Sequence, residues 1–156
     1  MDIEGWKKLF GRTQDDPELV SALAGAGVKK VPRLEKGYVD VSLNLRGHGM
    51  WLVLNDEASL RRLEDQDIGE GPLVLCGVGA YLDKSVSRDL YSGELPYDID
   101  AGMTRDELRD KMGTPRESKD AVAPFDMWLV DDLQVIASYG KGWKLVDFSM
   151  KMPGAT

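Results

Sequence analysis

Three pairs of neighbouring carboxylates, Asp98/Asp100, Asp106/Glu107 and Asp131/Asp132, are the residues whose type and spacing come closest to chemistry. Two carboxylates flanking a glycosidic bond are the minimum for glycoside hydrolysis, one protonating the leaving oxygen while the other attacks or activates water. The same pattern is what a solvated acidic surface looks like, and a hairpin turn accounts fully for Asp131-Asp132. His48 is the sole histidine, in Gly47-His48-Gly49. That rules out a two-histidine metal site, and a Ser/His/Asp triad would have to be built on a solvated turn residue. Cys76, the sole cysteine, lies in "LVLCGVG". It allows no intramolecular disulfide or thiolate cluster and fits a small buried hydrophobe. The run "CGVGAYLDK" lacks the G-x-G-x-x-G spacing and the phosphate-loop lysine, so its glycines suit close strand packing or a bulge. The expectation is a chain with no catalytic residue, no metal and no cofactor.

Charge is more informative than any motif. The 156 residues carry a net charge of −7, with a pI near 4.7. A nucleic-acid partner would call for a basic footprint instead. Residues 94–132 hold eleven Asp/Glu against five Lys/Arg, whereas residues 1–62 have slightly more basic than acidic side chains. A field concentrated in one part of a molecule steers a partner of opposite charge. Acidity also serves solubility alone, so the asymmetry points towards a basic partner without naming one. No run approaches the ~20 apolar residues of a membrane span. "MDIEGWKKLFGR" has neither the basic region nor the apolar core of an export signal. With one cysteine, a reducing, cytoplasmic setting is expected.

The elements that must position these side chains are legible from period and punctuation. Residues 3–10 place Ile3, Trp6 and Phe10 on one helical face, with Gly11 as the stop. A second helix opens with Asp16 as cap and Pro17 in the first position, with Leu19, Val20 and Leu23 as its buried stripe. Val39, Val41, Leu43 and Leu45 alternate with polar residues as a strand, and "RGHG" turns into "MWLVLN" as its partner. "DEASLRRLEDQD" reads as a short helix or ordered loop, and "PLVLCGVGAYL" as a third, buried strand. Residues 104–112 form a helix with a Thr104/Glu107 capping box, a Glu107–Lys111 pair and a Gly113 stop reinforced by Pro115. Three strands follow: "FDMWLV", "LQVIASY" and "WKLVDFSMK". Their short connections require antiparallel neighbours. Leu108, Val135, Ile136, Val146 and Phe148 are the expected core.

The predicted fold is α+β, short helices on antiparallel sheet, in a single domain spanning residues 1–156. Both halves, 1–82 and 91–152, run capped helix, glycine stop, connection, then strands. Two origins fit this parallel: an internal duplication, or the frequency of helix-plus-hairpin units in α+β folds.

"GMTRDELRDKMGTP" resembles the helix signature of the BamE-like (SmpA/OmlA) fold, where such a helix precedes a small antiparallel sheet. The longer order, "YSGELPYDIDAGMTRDELRDKMGTP", a Trp-containing strand, then a hairpin ending "KLVDFSMKMP", resembles small bacterial immunity proteins that accompany polymorphic or contact-dependent toxins. "LFGRTQDDPELVSALAGAG" is similar to them as well. Lipoprotein members of the BamE-like group need an export signal and a lipidated cysteine, neither of which is present, so outer-membrane assembly is set aside. The resemblance implies a cytoplasmic inhibitor that occludes a toxin domain without naming the toxin's activity; the charge asymmetry makes a basic toxin, a nuclease, the expected partner. Aromatic residues anchor interfaces and charges steer them. That combination selects Glu94, Tyr97, Asp98, Asp100, Asp126, Asp131 and Asp132 as toxin contacts. A small carboxylate-dependent enzyme and a BamE-like scaffold protein stay open as alternatives.

Overall fold

The capping box forms as the sequence requires. Thr104 Oγ1 accepts from the Glu107 amide at 3.4 Å, and Glu107 Oε1 accepts from the Thr104 amide at 3.3 Å. The helix they open, α4 (Arg105–Met112), ends at Gly113 with φ 88°. In the computed structural model, which describes residues 1–155, three helices precede it: α1 (Ile3–Lys7), α2 (Pro17–Gly25) and α3 (Glu57–Arg61). Thr156, the last residue of the expected domain, lies outside the described residues. The fold is α+β, short helices with a seven-stranded antiparallel sheet.

The strands are β1 (Asp40–Leu45), β2 (Met50–Asp56), β3 (Leu73–Tyr81), β4 (Glu117–Lys119), β5 (Phe125–Val130), β6 (Leu133–Tyr139) and β7 (Leu145–Lys151). Their order is β1-β2-β3-β7-β6-β5-β4. Each half therefore builds inward from one edge, and the halves meet where β3 and β7 pair antiparallel, with Gly79 opposite Ser149 and Tyr81 opposite Asp147. The stretch of β3 that β7 does not reach is covered by the chain after α1. Gly11 donates to the Leu75 carbonyl at 2.9 Å, Leu75 to Arg12 at 2.9 Å, and Gln14 to Leu73 at 2.8 Å. Covering that edge satisfies ladder groups that would otherwise be unpaired. It also explains why α1 stops at Lys7 and not at residue 10. The chain must tighten into turns and reach Gly11, at φ 89°, before it can run beside β3.

One sheet face carries the main core. Ile3 and Trp6 of α1, Leu19 and Leu23 of α2 and Leu108 of α4 are buried against Leu52, Leu54, Leu75, Val78, Val135, Phe148 and Met150. β3 switches phase midway: Leu73 and Leu75 lie on this face, and so do Val78 and Ala80. The switch follows from a bulge, since Val53 pairs Gly77 while Leu54 pairs Leu75, leaving Cys76 as the extra residue. Cys76 is buried with Val53, Leu60 and Val74 on the other face. Burial pushes its thiol up to about 12, so it stays protonated and unreactive at neutral pH.

Three local expectations are corrected. Val20 is 48% exposed and lines a surface cleft instead of completing the α2 stripe. Ile136 is only half-buried, because it alternates with the buried Val135 and Ala137 and so lies on the opposite side of β6. Glu107 and Lys111 do not pair: Glu107 is engaged at the helix start, and Lys111 Nζ donates to the Asp98 carbonyl at 2.8 Å. The anchoring of α4 uses contacts of another kind. Trp128 Nε1 donates to the Gly113 carbonyl at 2.9 Å, and the Leu145 amide donates to Met103 at 2.9 Å, tying both ends of the helix to strands.

Candidate functional site: an acidic pole around Tyr97

Three of the seven expected contacts line one cleft, and Tyr97, between them in sequence, packs against the core instead of lining it. The three, Glu94, Asp98 and Asp100, are exposed, and their cleft has a volume of about 720 Å³. The chain there is a single 3₁₀ turn, Pro96–Asp98, in which Tyr97 (φ 62°) and Asp98 (φ 56°) are both left-handed. A left-handed conformation is uncommon for a bulky side chain and persists where the surroundings enforce it. Here Lys111 of α4 holds the Asp98 carbonyl, and Ile99 is buried in the core.

Tyr97 is half-buried against that core. Burial pushes its phenol upward, and the charges of Glu4 and Asp131 push it the same way. Asp131 therefore acts on the same aromatic side chain from the β5–β6 hairpin. Asp131 (φ 50°) and Asp132 (φ 66°) are the two central residues of that hairpin, in the paired left-handed conformation of a type I′ turn. Their backbone role is thus complete, and their carboxylates are exposed. Among the described residues, none of Glu94, Asp98, Asp100, Asp131 and Asp132 forms an ion pair. Lys111 is the cation that lines the same cleft.

Asp126 does not belong with this group. It is fully buried on the helix side of β5 and accepts four hydrogen bonds. They come from Arg109 Nε (2.9 Å), Arg109 Nη2 (2.8 Å), Ser118 Oγ (2.8 Å) and Tyr139 Oη (2.9 Å). Burial alone would raise its carboxyl, but the hydrogen bonds from Arg109, Ser118 and Tyr139, with the Arg109 charge, outweigh burial and hold it below the usual range. With every lone pair engaged inside the fold, Asp126 is a fastener of α4 and cannot be a surface contact.

The sheet face opposite α1, α2 and α4, partly covered by α3 through Leu60, carries residues that sequence reasoning does not single out. Trp51, Tyr81 and Asp147 stand there with Asn44 and Ser42 around a cavity of about 350 Å³. The only signal for them was that two aromatic residues occupy polar-phase strand positions, and pairing them needed the register Trp51–Gly79 and Tyr81–Asp147. A larger cleft of about 870 Å³ lies between α2 and residues 28–39, rimmed by Lys29, Lys30, Arg33 and Lys36. None of the seven expected contacts lines it. His48 is exposed in its turn. Among the described residues, no group of three or more His, Cys, Asp or Glu side chains is placed to hold a metal ion, and no helix is long and apolar enough to cross a membrane.

Compared with known protein families, with curated proteins and with solved structures, the chain matches none.

Proposed function

We propose that this protein is a binding module that neutralises a basic bacterial toxin domain, as an immunity protein, by covering the toxin's active site or substrate surface. The observation that carries this reading is the acidic surface: Glu94, Asp98 and Asp100, exposed and without ion-pair partners, line one cleft, and the charge of Asp131 reaches the neighbouring half-buried Tyr97. Unpaired like charges side by side repel one another and are retained at a cost to stability. A basic partner would relieve that repulsion on docking and be steered towards it beforehand. Tyr97 supplies the other half of an interface, an aromatic anchor inside a charged rim. The motif resemblance around residues 91–115 supplies the toxin-immunity context and carries no residue-level weight.

The test is co-expression with the C-terminal domain of the protein encoded by the neighbouring gene, with growth as readout. The wild type should protect, and the fourfold variant Asp98→Lys, Asp100→Lys, Asp131→Lys, Asp132→Lys should not, while circular dichroism shows both folded. Full protection by the folded fourfold variant overturns the acidic-pole mechanism. A wild type that neither protects against the neighbouring domain nor binds it overturns the immunity reading.

A further inference from the structure

The open part of the sheet face opposite α1, α2 and α4, left uncovered by α3, holds a cluster that the acidic pole does not use. Trp51 lies directly across from Gly79, where a Cβ would overlap the indole, so only glycine lets the ring settle over β3. Tyr81 packs beside it, ring centroids 4.7 Å apart and planes tilted by 43°. Its hydroxyl is held by donation to Asn44 Oδ1 at 2.9 Å. Asp147 stands opposite Tyr81 on the adjacent strand and opposite Ser138 on the other side. It is half-buried, and among the described residues no Lys, Arg or His forms an ion pair with it.

A carboxylate withdrawn from water without a cation is costly, and such groups concentrate at functional sites. Burial lifts the Asp147 carboxyl above its usual range, against a hydrogen bond from Ser138 that lowers it. Tyr81 is pushed upward by burial and by the charge of Asp147. What the pocket lacks is a positive group, and its aromatic and carboxylate lining selects which kind. Aromatic faces attract cations, and a guanidinium stacks flat on them while giving a carboxylate two parallel hydrogen bonds. An ammonium is more strongly hydrated and has no planar fork. Beyond Ser138 and Ser149 on the same face, Phe125 and Ile136 are half-buried, and farther out Leu129 is 45% exposed. A half-buried charged anchor with exposed apolar residues on the same face suits a protein interface.

We propose that Trp51, Tyr81 and Asp147 form a seat for a guanidinium group, supplied by an arginine side chain of a protein docked on the open sheet face. The seat stands on its own geometry and needs no toxin for its test. The full chain is titrated with N-acetyl-arginine-N-methylamide, following the Trp51 indole N–H and the Tyr81 ring by NMR. The citrulline analogue, isosteric and uncharged, and free arginine are run in parallel. Blocked arginine should give saturable shifts at both rings, and the citrulline analogue should give none. Asp147→Asn, which keeps a partner for Ser138, should weaken binding by ~10-fold or more, as loss of a charge-assisted bidentate pair requires. Trp51→Ala, read at Tyr81, should weaken it as well and serves if the first variant does not fold. Absence of a saturable shift, equal binding of citrulline, or undiminished binding by either folded variant overturns the seat. Free arginine binding ~10-fold tighter than the blocked form would mark a site built for the amino acid itself, and would overturn the docked-protein source.

Discussion

Arg109 and Asp126 meet fork to fork, Nε to Oδ2 at 2.9 Å and Nη2 to Oδ1 at 2.8 Å, with Asp126 fully buried and Arg109 one-third exposed. This pair joins α4 to β5. Through Ser118 and Tyr139, which also hydrogen-bond Asp126, it joins them to β4 and β6. Arg109→Met removes two donors and leaves a carboxylate inside the fold. The expected loss is about 2–3 kcal/mol, below the range for a fully buried pair because water reaches the guanidinium. Urea unfolding measures it. The double variant Arg109→Met, Asp126→Leu should recover part of that loss, since it strands no charge.

The same carboxylate sets an acid limit. Its folded-state pKa lies below its unfolded value, so its stabilisation is present above the unfolded pKa of ~3.9 and disappears as pH falls through the folded value. Unfolding free energies of the wild type should therefore fall more steeply below ~pH 4 than those of Asp126→Asn. Parallel slopes for the two proteins would mean that Asp126 does not carry the charge in the fold.

Asp147 has the opposite sign. Burial raises its pKa in the fold, with Tyr81 as the titratable neighbour, so the folded state favours the protonated acid. Stability is then lost as pH rises through the raised value, and no difference remains below the unfolded pKa of ~3.9. Asp147→Asn should be more stable than the wild type at pH 7 and indistinguishable from it at acid pH, by thermal melts at several pH values. A variant that gains stability while losing guanidinium binding would show strain held at a binding site.

Leu108 is fully buried and is the buried apolar residue of α4. Leu108→Ala should cost about 2–5 kcal/mol, the spread reflecting how far the helix can settle into the cavity. An unchanged melting curve would place α4 outside the cooperative core.

How far the sequence led depends on the range of the signal. Caps are local, so Asp16, Thr104 and Glu107 mark α2 and α4 in the sequence itself. Asp131-Asp132 announced its hairpin for the same reason. Periodicity gave the core side of β6 and β7 but overreached at Val20 and Ile136, where burial is decided by which neighbour covers a face. The acidic pole was half legible: Glu94, Tyr97, Asp98 and Asp100 are close in the chain, whereas the influence of Asp131 on Tyr97 is a tertiary fact. Asp126 was misplaced because its partner Arg109 lies 17 residues away across the sheet edge, a distance that no helix or strand period marks. The Trp51–Tyr81–Asp147 cluster draws on three strands, and its register depends on the bulge at Cys76.

The acidic pole predicts a division of labour between its charges and its aromatic residue. Asp98 and Asp100 are exposed, so on the proposed reading they would act at long range, before contact. Asp98→Asn with Asp100→Asn should lower the association rate for a basic partner, and the deficit should shrink with added salt. The Debye length falls from ~8 Å at physiological ionic strength to ~3 Å at 1 M. Tyr97 is half-buried and acts only after contact, so Tyr97→Ala should raise the dissociation rate and leave association nearly unchanged. Surface plasmon resonance against a basic domain encoded by the neighbouring gene, should one bind, separates the two rates at low and high salt. If the double amide substitution slows association equally at both salt concentrations, the carboxylates act through specific contacts and not through their field. If Tyr97→Ala changes neither rate, the pole steers without an anchor there, and the contact surface must be sought elsewhere, with the open sheet face the first place to look.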